Sequence, residues 1–451
     1  MALRKCKSAV GLILIFSLMK LGLGDQFEPN QIHLALSRNP NELMVVWNTN
    51  GSIEGLVQWE KISDPQSRFQ SVAISHAFVE HSSSKLQQYV HEAYMTDLDP
   101  AEAYKYRVGS KLVWSEWIEC QPTAASNSTD WSPRLAVFGD LGLVNAQSIP
   151  RLLQDTKRGI YDAVLHVGDF AYDMYENSGR TGDLFMDMIA PIASRVPYMT
   201  CPGNHENKDN FFQYRNRFRM PSKNPKDLFY TFNLGPARFI SLSTEVYYFV
   251  FNYGIVDIVA QWRWLDATLK AAMADRENHP WIIVFGHRPM YCSNLDHDDC
   301  KNHETLTRVG LPFFHWYGLE KLLYKYGVDL AIWAHEHSYE RLWPVFDRKV
   351  YNGTTDPKDP YHNPQATVHV TSGSAGCRER TDLFENPEPW SAFRNSDYGY
   401  ARLSPVNKTH LLWEQISDDQ DGKVIDSIWI KKDKPEGFVE TNEVLEVSSF
   451  E

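Results

Sequence analysis

The chain has 451 residues, of which 43% are hydrophobic and 23% are charged, and its formal net charge is −12. This composition is typical of a folded protein with two or three domains, not of a disordered or fibrous chain. The acidic balance argues against nucleic acid and anionic membrane surfaces as partners, because neither offers it counter-charge. An anionic substrate would therefore need a local positive site, which bound metal ions could provide.

The first 24 residues (1–24) have the pattern of a secretory signal peptide. Arg4 and Lys5 precede an apolar run over residues 9–19, and residues 22–24 are Gly-Leu-Gly, which suits cleavage. The apolar run is too short to span a membrane, so we expect no membrane anchor. Cleavage would remove four basic residues and no acidic residue, which takes the net charge from −12 to −16. We expect a secreted or lysosome-like protein.

In a secreted chain, sequons can be glycosylated and cysteines can form disulfides. We expect glycosylation at the four Asn-x-Ser/Thr sequons, which begin at Asn50, Asn127, Asn352 and Asn407. Five cysteines follow the signal segment, so at least one thiol stays free or pairs between chains. Cys292 and Cys300 are close enough in sequence to close a short loop, and they form the first-choice disulfide.

Residues 25–126 predict an all-β domain. Apolar residues alternate with other residues at Ile32, Leu34 and Leu36, and similar short runs recur up to residue 108. About seven such strands favour a β-sandwich. The segment 98–108 resembles a strand entry of fibronectin type III domains. The segment contains no cluster of acids, bases or nucleophiles, so we expect it to be a scaffold.

The pattern of apolar residues changes after a short linker of small and polar residues near residue 126. From residue 130 to 364, apolar strands alternate with helical patterns, which predicts an α/β layered catalytic domain. The predicted strands cover residues 135–138, 163–167, 196–200, 238–242, 281–285 and 330–333, and the predicted helices cover 260–274 and 319–326. Residues 365–430 return to strands, and we expect them to complete the same domain. Residues 431–451 form a polar tail.

Five predicted strands end in residues that can bind metals. The central motif is Gly168-Asp169-Phe170-Ala171-Tyr172, which follows an apolar run. The others are Gly139-Asp140, Gly203-Asn204-His205-Glu206, Gly286-His287 and Ala334-His335-Glu336-His337. Each motif alone would be an ordinary turn or a packed histidine, but α/β sheets place ligand sites at the carboxyl ends of their strands. Seven donors at such ends would serve two metal ions that share one carboxylate.

These five ordered motifs resemble those of the purple acid phosphatases. The β-domain followed by the catalytic domain resembles the long, plant-like form of that family found in animals. The resemblance implies a multidomain α+β fold, in which a fibronectin III-like β-sandwich precedes a calcineurin-like metallophosphoesterase α/β sandwich. One departure is Ala334, where the family usually has glycine.

The first motif distinguishes this chain from ordinary calcineurin-like metallophosphoesterases. Those enzymes usually have Asp-x-His there, whereas this chain has Asp140-Leu141-Gly142, and Tyr172 supplies a phenol instead. A phenolate makes the first site harder and more anionic, which favours Fe(III).

The resemblance also implies roles for individual residues. Fe(III) would be held by Asp140, Tyr172 and His337, and Asp169 would bridge the two metals. Asn204, His287 and His335 would hold a divalent ion, with Zn expected and Fe(II) or Mn as alternatives.

Two histidines and a metal-bound hydroxide complete the implied chemistry. The hydroxide would attack phosphorus in line, His205 would contact the phosphate, and His297 would protonate the leaving group. Glu206 and Tyr339 would orient metal ligands or simply pack.

The sequence therefore predicts an acid phosphatase that hydrolyses small phosphate monoesters. A phosphodiesterase or nucleotide hydrolase on the same scaffold is one alternative. A secreted binding protein with a vestigial metal site is another. The physiological substrate and the oligomeric state stay open.

Overall fold

The computed structural model describes residues 25–79, 87–121, 130–353, 356, 358–434 and 436–438. The predicted signal peptide, the sequon residue Asn127 and most of the predicted tail lie outside these residues. Within the described ranges, no helix combines the length and the apolar character needed to cross a bilayer.

The amino-terminal part is a sandwich of two four-stranded sheets. Its strands are β1 (Asn30–Leu36), β2 (Leu43–Thr49), β3 (Leu56–Lys61), β4 (Phe69–Val72), β5 (Ile74–Val79), β6 (Gln87–Met95), β7 (Tyr104–Gly109) and β8 (Ile118–Cys120). One sheet has the order β1-β2-β6-β5 and the other has the order β4-β3-β7-β8. Val45 and Trp47 of the first sheet are buried in the same core as Val57 and Tyr106 of the second. Their alternating apolar side chains close the sandwich.

The remaining described residues form a larger α/β unit. Its strands are β9 (Leu135–Phe138), β10 (Ala163–Val167), β11 (Tyr198–Cys201), β12 (Tyr230–Leu234), β13 (Ala237–Ser241), β14 (Trp281–Phe285), β15 (Gly310–Leu311), β16 (Trp316–Tyr317), β17 (Leu330–Trp333), β18 (Tyr339–Leu342), β19 (Val345–Phe346), β20 (Lys349–Val350), β21 (Val368–Ser372), β22 (Ser391–Asn395), β23 (Gly399–Pro405), β24 (His410–Ser417) and β25 (Lys423–Lys431). Its helices are α1 (Ile149–Lys157), α2 (Arg180–Ala193), α3 (Lys208–Arg217), α4 (Glu245–Tyr248), α5 (Val250–Tyr253), α6 (Val256–Ala274), α7 (Leu306–Val309) and α8 (Glu320–Lys325).

Two large sheets pack face to face inside this unit. One has the order β11-β10-β9-β23-β24-β25 and the other has the order β12-β13-β14-β17-β21-β18-β22. On β10, Leu165 and Val167 share a core with residues of the opposite sheet, whereas Val164 shares a core with Phe185 and Ile189 of α2. The alternation of side chains along the strands therefore produces four layers, with helices outside and sheets inside.

Parallel pairing aligns the strand ends that carry the motifs. β9, β10 and β11 are parallel neighbours in one sheet, and β13, β14, β17 and β21 are parallel neighbours in the other. The carboxyl-terminal strands belong to both sheets, because β21 pairs with β17 and β23 pairs with β9. Consequently, the loops that follow β9, β10, β11, β14 and β17 can meet at one edge of the sandwich.

The amino-terminal sandwich packs against the side of this unit. The Tyr106 hydroxyl donates to the carbonyl of Ser194, just after α2, at 2.7 Å, and the Leu36 amide contacts the Met199 sulfur at 3.3 Å. The metal-binding motifs follow strands of the α/β unit, and none belongs to the sandwich.

Candidate metal centre

Every predicted metal ligand lies within a few residues of the carboxyl end of a parallel strand. Asp140 follows β9, Asp169 follows β10 and His335 follows β17. These three residues have positive φ angles of 56°, 52° and 71°, and Tyr172 has a φ of 54°. Left-handed backbone costs non-glycine residues roughly 1 kcal/mol or more each. Such concentrated strain is typical of sites where loop geometry is selected for function.

The first set of donor atoms comprises Asp140, Tyr172 and His337. The Tyr172 hydroxyl lies 2.8 Å from His337 Nε2 and 3.3 Å from Asp140 Oδ1. His337 Nε2 lies 3.5 Å from Asp140 Oδ1. All three side chains are buried. Two oxygens and one nitrogen thus converge on one point.

The second set of donor atoms comprises Asn204, His287 and His335, with Asp169 beside them. His287 Nε2 lies 3.0 Å from Asn204 Oδ1, 3.2 Å from His335 Nδ1 and 3.3 Å from Asp169 Oδ2. Ligand atoms of Asp169, His287 and His335 all lie within 4.8 Å of one another. Asn204, His287 and His335, which come from three different loops, therefore meet beside the Asp169 carboxylate.

Outer hydrogen bonds leave the inward nitrogens available. His287 Nδ1 lies 2.8 Å from the carbonyl of Val167, which can only accept, so Nδ1 carries the proton and Nε2 is unprotonated in the neutral ring. His337 Nδ1 lies 3.2 Å from the carbonyl of Arg380, which has the same effect. These tautomers present lone pairs to the two donor sets, as metal ligation requires.

The electrostatics of the centre also suit cations. Burial opposes ionisation of Asp169, but a protonated, positively charged His287 beside it holds the pKa of its carboxyl well below the usual range. Burial would lower the pKa of His337, yet the contact with Asp140 raises it to about 12. Burial, together with the charges of Asp140 and Asp169, raises the pKa of the Tyr172 phenol well above its usual value. The centre attracts protons, and a phenolate at Tyr172 would need a strongly charged cation.

Two glycines make room for these loops. Gly168 has a φ of +85°, and a Cβ there would lie 2.5 Å from His287 Nδ1. A Cβ on Gly203 would lie 2.6 Å from the Asp169 amide nitrogen and would also collide with its carboxylate. The close approach of the motif at residues 168–172 to His287 and to Gly203 thus depends on missing side chains.

The two predicted catalytic histidines lie in different surroundings. His205 is half-buried, with Nδ1 3.0 Å from Asp173 Oδ1 and Nε2 3.9 Å from Asp169 Oδ2. Burial would lower the His205 pKa, but its bond to Asp173 and the charge of Asp169 raise it to about 9. His297 is exposed and has a φ of 67°. The structure brings His205 to the two donor sets, and it leaves His297 on the outer surface of its loop.

Glu206 and Tyr339 differ in what they contact. Glu206 accepts from the amides of Asp169 at 2.9 Å, Phe170 at 3.1 Å and Gly203 at 2.9 Å, so it ties the second motif to the third. The Tyr339 hydroxyl donates to Asp426 at 2.7 Å, away from the ligands.

Several supporting residues were not found by sequence reasoning. Asp298 contacts His335 Nε2, and Arg288 lies 2.8 Å from the same nitrogen. Asp382 accepts from the His337 amide at 2.6 Å, and Asp173 holds His205. The adjacency of Asp173 to Tyr172 and of Arg288 to His287 was the available signal, but neither residue type is diagnostic alone.

The cysteines divide into one bridge and three buried thiols. Cys292 and Cys300 form a disulfide that closes the loop carrying His297 and Asp298. Cys120, Cys201 and Cys377 are free within the described part of the chain.

The sheet order and the two donor sets define an α/β protein of two packed sheets, with side chains at one edge that could hold two metal ions. Comparison with family models identifies this arrangement as that of a metallophosphoesterase. Residues 133–339 match the calcineurin-like phosphoesterase model, residues 366–427 match the iron/zinc purple acid phosphatase-like protein C model, and residues 29–121 match the purple acid phosphatase N-terminal domain.

Individual relatives narrow the assignment. The chain is 48% identical to mouse acid phosphatase type 7 over 404 residues, covering 89% of this chain and 90% of the mouse protein. It is 47% identical to human acid phosphatase type 7 over 422 residues, covering 93% of this chain and 95% of the human protein. The chain belongs to the purple acid phosphatase family.

A solved structure supports the fold. Purple acid phosphatase PPD1 from yellow lupin seeds superposes with a TM-score of 0.76 at 24% identity, covering 93% of this chain and 78% of the lupin chain. The predicted order of a β-rich domain before a calcineurin-like domain is thereby confirmed.

Proposed function

We propose that this protein is an acid phosphatase that hydrolyses small phosphate monoesters at a binuclear Fe(III)–M(II) centre. The observation that carries the proposal is the pair of donor sets at one edge of the two-sheet sandwich, where one set contains the buried Tyr172. Family membership and the acid phosphatases among its relatives support the same activity.

The ligand assignment follows from the chemistry of the donors. The first set offers a carboxylate, a phenol and an imidazole from Asp140, Tyr172 and His337, and this hard, anionic combination suits Fe(III). The second set offers an amide oxygen and two imidazoles from Asn204, His287 and His335, which suit a divalent ion such as Zn. Fe(II) and Mn are alternatives. Asp169 lies beside the second set and is the proposed bridge.

When bound, the two cations would neutralise phosphate charge, polarise its oxygens and acidify the attacking water. The protein would add a positioned proton donor. His205 is held by Asp173 through Nδ1, so its Nε2 is free to donate to a phosphate oxygen as negative charge develops.

A proton for the departing alkoxide completes the reaction. His297 is the proposed donor, and its exposure means that substrate would have to reach it at the rim.

The biological setting is part of the proposal. We infer that residues 1–24 direct the chain into the secretory pathway, towards secretion or a lysosome-like compartment. Asn50, Asn352 and Asn407 are exposed, which suits glycosylation. The domains proposed are 25–126 for the sandwich and 130–364 with 365–430 for the catalytic unit.

The experiment compares p-nitrophenyl phosphate with bis(p-nitrophenyl) phosphate at pH 5, with the purified protein before and after metal removal. The proposal expects faster turnover of the monoester, loss of activity after chelation and recovery after metals are restored. Faster turnover of the diester would favour the phosphodiesterase alternative. A folded protein that binds no metal and turns over neither ester would favour the binding-protein alternative.

A further inference from the structure

The two ring nitrogens of His335 face different surroundings. Nδ1 points into the second donor set, 3.2 Å from His287 Nε2. Nε2 points away from that set and contacts both Asp298 and Arg288. A ring nitrogen can bind a cation only through an unprotonated lone pair, so a ligating, neutral His335 must carry its proton on Nε2.

Arg288 by itself would impose the opposite tautomer. Its Nη1 lies 2.8 Å from His335 Nε2, and a guanidinium can only donate. If Nε2 accepted that hydrogen bond, the neutral ring would carry its single proton on Nδ1. The ligand nitrogen would then be blocked.

Asp298 removes this conflict. Its Oδ2 contacts His335 Nε2 and also lies 2.5 Å from Arg288 Nη1. A carboxylate only accepts, and one oxygen can take two hydrogen bonds. With Asp298 present, both donors are directed to the carboxylate, and the Nε2–H form of His335 is the compatible one.

The surrounding contacts hold both partners in place. Arg288 Nε lies 3.0 Å from Oε2 of the buried Glu245, and its guanidinium lies 4.3 Å from the centroid of the Tyr248 ring. Asp298 Oδ1 accepts from the Asp299 amide at 2.7 Å, and the disulfide closes the ends of its loop. The contacts with Glu245 and Tyr248 would keep Arg288 beside His335 if the carboxylate were lost.

We propose that Asp298 is a positioning residue that selects the Nε2–H tautomer of His335 and so keeps Nδ1 available for the divalent cation. This inference rests on the proposed role of His335 as a metal ligand. It assigns to Asp298 an effect on the second metal and none on the first, because Asp298 does not contact Asp140, Tyr172 or His337 in the described residues.

The test measures metal affinity rather than turnover. Wild-type protein, Asp298→Ala and Asp298→Asn are prepared with iron bound, and zinc binding is measured by competition with a chromophoric chelator. Loss of such a support typically weakens metal binding 10- to 100-fold, so we expect about that loss in Asp298→Ala with iron content unchanged. Asp298→Asn keeps an acceptor oxygen, so its loss should be smaller than that of the alanine variant.

The control variant is Asp299→Ala. Asp299 belongs to the same loop and accepts from the Tyr248 hydroxyl and the Leu306 amide, but its hydrogen bonds do not involve His335. It should keep zinc affinity within about threefold of wild type. Equal losses in Asp299→Ala and Asp298→Ala would show that loop order alone matters, and unchanged zinc affinity in Asp298→Ala would also overturn the inference. Failure of wild-type protein to bind either metal would instead refute the proposed function.

Discussion

Gly203 offers a sharp test of the geometry because its requirement for glycine is purely steric. Its φ and ψ are −103° and −172°, an extended conformation that any residue adopts. In Gly203→Ala, the new Cβ would lie 2.6 Å from the Asp169 amide nitrogen, below the 3.0 Å that real Cβ atoms respect, so the Asp169 backbone must retreat by about 0.4 Å. The Asp169 carboxylate, which the same Cβ would approach still more closely, must move further.

The displaced group is the proposed bridge, so a small movement should have a large effect. A misplacement of about 1 Å can cost roughly 100-fold in rate, and we expect kcat/KM to fall about 10- to 100-fold. Overpacking of this kind costs roughly 1–3 kcal/mol in stability, which leaves the protein folded. The assays are metal content by mass spectrometry, phosphatase kinetics and urea denaturation.

The control for Gly203→Ala is Gly254→Ala. Gly254 has a φ of +81°, and a Cβ there would meet nothing within 4 Å. This variant should lose some stability because alanine is strained at a positive φ, but it should keep both metals and most activity. If Gly203→Ala kept its full metal content and an unchanged kcat/KM, the claim that the position of Asp169 requires glycine at residue 203 would be refuted.

Two further predictions concern histidines. His205→Asn should lower kcat about 10²- to 10³-fold with metal content unchanged, because it removes one donor to the developing charge; a loss of metal would contradict the assignment. Burial lowers the His33 pKa from 6.5 to about 4. Between these two pH values the unfolded chain binds more protons than the folded chain. The free energy of unfolding is therefore not reduced by His33 above pH 6.5, and it falls as the pH drops below that value. At pH 5 this amounts to roughly 2 kcal/mol for His33, measured by urea denaturation at pH 7.5 and 5.0. His33→Asn should reduce the pH dependence by about that amount. An equal dependence in variant and wild type would contradict a contribution from His33, and a larger dependence in the variant would contradict its sign.

The parts of the fold that sequence reasoning found are those with strong local signals. β9, β10, β14 and β17 are short apolar runs with a polar ligand directly after them. α2 was not predicted, because it contains Pro191 and Gly182, which disfavour helix. It forms because Phe185 and Ile189 are buried against the sheet. β8 has only three residues, too few for a visible alternation.

The residues of the metal centre likewise divide into those with a local sequence signal and those without one. Its donors could be named because residue type and strand end coincide in each motif. Asp298 could not, because an aspartate in a loop becomes informative only when the fold brings it to His335. The reverse applies to His297, whose position in the sequence is suggestive although the structure leaves it exposed.

The most direct measurement is metal analysis of the purified protein together with its visible absorption spectrum, for wild type and Tyr172→Phe. The account predicts one iron and one divalent ion per chain, with a tyrosinate-to-iron band that gives a purple colour. Tyr172→Phe should stay folded and lose this band. A wild-type protein with both sites filled by divalent ions and no such band would contradict the Fe(III)–tyrosinate assignment, and a folded, metal-free protein would contradict the binuclear centre itself.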